Sequence, residues 1–231
     1  MARHQSFLDV VRIIARGRFT YLLAFMFMSI LVFPVLEEST YGPLVMQLLY
    51  SFLLISALYA VAETGWVLRM GILLFAAAFV SHWWVILTLS PIAAVAGILC
   101  EIIFLCFIAL SLLFHVFGHE QVTGDTIAGA ICVFLLMGII WMVAYQGIYF
   151  FDHSAFNNIA AESFSPTATI DLVYYSFATL TTLGYGDITP VSRLARMFAV
   201  TQAIVGQIYL TVLVARLVGL YAPVRASRAG Q

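Results

Sequence analysis

The stretch Thr179-Leu180-Thr181-Thr182-Leu183-Gly184-Tyr185-Gly186-Asp187 decides how the rest of the chain is read. Gly184 and Gly186 alternate with two large side chains. Glycine enters positive φ without steric cost, so a run of this kind can turn successive carbonyls toward one axis. The residues just before it, from about Ile170 to Thr181, read as a helix that Thr169 or Asp171 could cap. At some 12 residues that helix is too short for a hydrocarbon core about 30 Å thick, which takes roughly 20.

Membrane depth matters because the surrounding chain is hydrophobic. Of its 231 residues, 64% are hydrophobic and 9% charged, against roughly 25% charged in a soluble domain. Irregular backbone inside a bilayer is tolerated only where protein buries it or where it lines a water-filled path. The 179–187 stretch must meet that condition. Net charge is −1 and all ten basic residues are arginine, which gives no sign of a nucleic-acid partner. Cys100, Cys106 and Cys132 lie in apolar runs without His or carboxylate at ligand spacing, and read as packing residues.

Six apolar stretches are long enough to span: about Phe19–Leu36, Leu44–Ala62, Met70–Leu89, Ile92–Phe117, Thr126–Phe150 and Ala195–Leu220. The expected fold is therefore an all-α membrane protein. It has six transmembrane helices, with a re-entrant helix and loop between the fifth and sixth. Upstream, Gln5–Arg16 reads either as a helix in the membrane interface or as a cytoplasmic extension of the first span. Glu37-Glu38-Ser39-Thr40 after the first span is no small-residue cleavage site, so that span is retained. His82, Trp83 and Trp84 suit an aromatic belt at the outer interface. Arginines cluster before the first span (Arg3, Arg12, Arg16, Arg18) and after the last (Arg225, Arg228), which places both termini in the cytoplasm. Arg216, near the inner mouth, is expected to snorkel to the interface. Paired carboxylates, a nucleophile elbow and a phosphate loop are all lacking, so the sequence gives no support for an enzyme.

The Thr-Leu-Thr-Thr-Leu-Gly-Tyr-Gly-Asp run resembles the signature of potassium channels, with Leu183 where valine is more usual. The resemblance extends over the last hundred or so residues. It implies a homotetramer in which four loops form one selectivity filter, Thr182, Leu183, Gly184, Tyr185 and Gly186. Potassium ions would be held by the carbonyls of Thr182, Leu183, Gly184 and Tyr185 and by the Thr182 hydroxyl, with no other cofactor. Tyr185 would face away from the ion as a packing strut. Thr181 and Asp187 would support the filter. So would Tyr174, thirteen residues before Asp187, where relatives place a Trp that bonds to the aspartate. Position 178 is Ala where some bacterial relatives hold a glutamate. Gly206 falls where similar channels bend the inner helix; it equally suits close helix packing. Stepping by turns from Gly206, Leu210, Val214 and Val218 would line the pore, with Thr211 beside them.

The implied organisation is a cytoplasmic segment 1–18, a four-helix transmembrane domain 19–124, a pore domain 125–220 and a cytoplasmic tail 221–231. The membrane would be the plasma membrane, the inner membrane of the cell. The four-helix domain matches voltage sensors in helix count alone: between Phe19 and Ser192 the only basic residue is Arg69. Glu101, deep in the fourth span, reads either as a protonated or hydrogen-bonded structural acid or as the one acid that could act as an intramembrane sensor. The expected function is passive, potassium-selective conduction without steep voltage gating. The alternatives are a nonselective cation channel and a non-conducting modulatory subunit with the pore fold.

Overall fold

The computed structural model describes residues 18–36, 41–60, 65–88, 90–118, 123–159 and 165–228. The expected N-terminal interfacial helix over Gln5–Arg16 and the outer loop with Glu37 and Glu38 lie outside these residues. Seven helices and two short strands are described: α1 Arg18–Leu36, α2 Gly42–Ala60, α3 Gly65–Thr88, α4 Pro91–Gly118, α5 Gly124–Phe151, β1 Phe156–Asn157, α6 Pro166–Leu180, β2 Thr189–Pro190 and α7 Arg193–Arg228. The protein is an all-α membrane protein. Among the described residues, four stretches are long and apolar enough to cross a bilayer: Gly65–Val85, Pro91–Gly118, Gly124–Phe151 and Arg193–Gly219. Shorter apolar stretches, Phe19–Val32 and Gln47–Ala60, lie in α1 and α2.

Helix ends follow local chemistry. Thr123 opens α5 with a capping box. Its hydroxyl accepts from the Thr126 amide at 3.1 Å, and the Thr126 hydroxyl accepts from the Thr123 amide at 3.5 Å. Asp125 in the first turn adds charge of the sign that a helix N-terminus favours. Pro91 starts α4, where a missing N–H costs nothing. Ser192 accepts from the Ala195 amide at 3.1 Å and starts α7. That helix continues to Arg228, so residues 221–228 extend it rather than leave it.

α5 is the hub. It packs on α1, α4, α6 and α7, and its buried face runs from Ala128 through Leu136 and Val143 to Tyr149. α3 pairs with α4, and α2 packs on α1 and α3. At one end of the bundle, the Cys132 thiol donates to the Phe19 carbonyl at 3.4 Å, and the Phe19 ring meets His115 edge-on at 5.1 Å. At the same end Arg216 donates to the Val116 carbonyl at 2.6 Å and lies 4.5 Å over the Phe117 ring. The guanidinium is thus engaged with protein rather than simply snorkelling. The other end carries β1 and β2, paired antiparallel as Phe156 with Pro190 and Asn157 with Thr189.

His82 faces α2, where its Nε2 pairs with the Gln47 side chain and its ring lies 5.1 Å from Tyr50. Glu101 on α4 is hydrogen-bonded: the Tyr50 hydroxyl donates to its Oε1. One polar cluster therefore ties α2, α3 and α4 together.

Candidate functional site

The site begins with a helix start that the sequence reading placed too late. α6 opens at Pro166, capped by Ser165, whose hydroxyl accepts from the Ala168 amide at 3.1 Å. Thr169 and Asp171 lie inside the helix. The Ser-Pro pair carried the signal, since proline fits the first helical position and serine the cap.

The helix ends in a Schellman motif. The Thr182 amide donates to the Thr179 carbonyl at 3.0 Å, and the Leu183 amide to the Ala178 carbonyl at 2.8 Å. Thr182 takes the left-handed position with φ 58°, where glycine is usual. Gly184 (φ 55°) and Gly186 (φ 80°) repeat that conformation at every second residue. Leu183 and Tyr185 between them do not. Alternating handedness turns consecutive carbonyls toward the same side, and this loop is built that way. Positive φ at Thr182 was missed because a β-branched residue is the least expected there. The loop itself is exposed, with Tyr185 73% accessible in the single chain.

Asp187 ends the loop and is held on three sides. The Tyr174 hydroxyl donates to its Oδ2 at 2.6 Å, the Ile188 amide to its Oδ1 at 3.0 Å, and the Asn158 side chain to its carbonyl at 2.7 Å. The Tyr174 bond is the main reason its carboxyl sits below the ordinary carboxylate value. Asn158, itself at φ 61°, was not legible from sequence as a member of this site. Thr181 caps α6, and its hydroxyl donates back to the Phe177 carbonyl at 2.7 Å.

α7 passes behind the helix end. Gly206 is buried there, and a Cβ added to it would stand 3.0 Å from the Leu180 carbonyl oxygen and 2.8 Å from Leu180 Cδ1. The helix is continuous through Gly206, and the feature seen at this residue is close packing. Gly206 faces α6, and Leu210 one turn on packs against the core, whereas Gln207, Thr211, Val214 and Val218 are exposed.

Residues 136–222 match a family model described as an ion channel. The match takes in the second half of α5, all of α6, the loop and α7 as far as residue 222. No curated protein and no solved structure matches the chain. Over this segment the chain is similar to ion channels, which are not enzymes, and the activity that follows is ion transport across a membrane.

Proposed function

We propose that the chain is one subunit of a homotetrameric potassium channel whose selectivity filter is Thr182, Leu183, Gly184, Tyr185 and Gly186. The observation that carries this is the alternation of left-handed residues at 182, 184 and 186 on the end of a short helix. A potassium ion sheds its water only where oxygens replace it, and carbonyls brought to one side of four such loops supply them. The ions would sit between the carbonyls of Thr182, Leu183, Gly184 and Tyr185. α6, with 15 residues, spans only about 22 Å and is read as re-entrant. Its C-terminal dipole favours a cation beyond Leu180. Six spans, counting α1 and α2, put both termini in the cytoplasm of a cell whose plasma membrane holds the channel. The exposed apolar face of α7, with Met197, Val200, Ile204 and Ile208, suits contact with other subunits and lipid. Gln207, Thr211, Val214 and Val218 are read as the pore lining.

The four outer helices act as scaffold. Glu101, held by Tyr50, is a structural acid rather than a travelling charge. The deciding experiment is a bi-ionic reversal potential on purified protein in planar bilayers. Potassium and rubidium should permeate and sodium be largely excluded. Equal sodium and potassium permeability points to a nonselective channel, and no cation current to a modulatory subunit.

A further inference from the structure

We propose that Gln202 is the positioning residue of the ion path, locking α6 to both helices that flank it; this rests on the channel reading above. The Gln202 and Ser176 side chains and the Tyr145 ring are each 0% exposed. They form one closed network. The Tyr145 hydroxyl on α5 donates to Gln202 Oε1 at 2.6 Å. The Gln202 amide nitrogen on α7 donates to the Ser176 carbonyl and to the Ser176 hydroxyl oxygen, each at 2.9 Å. The Ser176 hydroxyl donates in turn to the Gly138 carbonyl on α5 at 2.6 Å.

Every polar group of the amide is used, and the two ends of the amide are not interchangeable. Its oxygen must meet Tyr145 and its nitrogen must meet Ser176. Advancing α6 by one residue about its axis swings Ser176 through about 100° and strands these groups without water. A buried polar group left unpaired is far more costly than a made bond is favourable, so the network selects one register of α6. That register reaches the loop directly. Ser176 lies two residues before Ala178, whose carbonyl receives the Leu183 and Gly184 amides at 2.8 and 3.3 Å. A second contact repeats the match one turn further along both helices, because Gly206 stands to Leu180 as Gln202 stands to Ser176.

The test compares full-length wild type with Gln202→Leu and Tyr145→Phe, all reconstituted in proteoliposomes. Two quantities are read: the sodium-to-potassium permeability ratio and hydrogen exchange of α6 amides. In Gln202→Leu the ratio should rise at least tenfold and α6 should lose protection by at least tenfold, the scale of one or two lost buried hydrogen bonds. Tyr145→Phe should move both in the same direction by less, because the amide still reaches Ser176. If Gln202→Leu does not assemble, Tyr145→Phe decides alone. An amide that served only packing would lower the yield of assembled protein and leave the ratio and the exchange unchanged in the protein that assembles. Unchanged values in the assembled variants overturn the proposal. If wild type itself does not discriminate between the cations, the potassium reading fails, and α6 exchange decides the locking role separately. Loss of protection in the variants supports it, and unchanged protection overturns it.

Discussion

Thr182 holds a left-handed conformation that costs a residue with a Cβ about 1–2 kcal/mol. Its hydroxyl is the feature a glycine would lack. Thr182→Gly is therefore expected to raise thermal stability by about 1 kcal/mol while weakening potassium binding. The check is melting in detergent, where the stability added by potassium over sodium should shrink. Gly186→Ala should behave oppositely. Nothing lies within 4 Å of an added Cβ there, so the penalty comes from φ 80° alone. Potassium current should be lost while the oligomer still assembles, which a flux assay paired with gel filtration resolves. Asp187 gives a pH prediction. Its carboxyl is depressed in the folded chain, chiefly by the Tyr174 hydroxyl. Its contribution is therefore complete above the ordinary carboxylate value, 3.8, and is lost only as pH falls through the lower folded value. Current should not respond to this residue between about pH 5 and 7. Tyr174→Phe should weaken the loop equally across that whole range, read as faster decay of potassium current.

At the scale of the element, α6 is set by close contacts on two sides. Gly206→Ala presses on backbone as well as on a side-chain tip, since the added Cβ would meet the Leu180 carbonyl oxygen at 3.0 Å and Leu180 Cδ1 at 2.8 Å. Overpacking of this kind costs about 1–3 kcal/mol. The variant should melt earlier and lose α6 protection in hydrogen exchange, and a melting curve like wild type would refute the contact. The same element shows how far sequence reading carries. Gly184 and Gly186 were legible because backbone freedom is a property of the residue itself. Four long apolar helices were legible because bilayer thickness sets their length, whereas α1 and α2 hold only shorter apolar stretches among the described residues. The start of α6 was displaced because Thr169 and Asp171 are also good caps, and Ser165-Pro166 was passed over. Gln202 was invisible: its partners lie 26 and 57 residues away in the chain, and a lone glutamine among apolar residues has no period.

For the whole molecule, a single chain presents one loop and one short helix, while a cation cage takes four. Native mass measurement should give a tetramer, and a stable monomer or dimer that conducts would refute it. Steep voltage gating draws on 3–4 charges in each of four subunits, each worth about 2.3 kcal/mol per 100 mV. The described outer helices offer Arg18, at the very start of α1, Arg69 and Glu101 alone. Conductance should therefore change shallowly with voltage, and a steep curve that flattens in Glu101→Gln would make that acid the sensor. The contact between Phe19 and Cys132 has a consequence for the order of events during synthesis. These residues are 113 positions apart, and ribosomes add roughly 5–20 residues per second. The first helix therefore waits on the order of ten seconds before its permanent neighbour is made. The hairpin partner α2 covers one flank meanwhile; the flank destined for α5 stays uncovered until the chain has grown past Cys132.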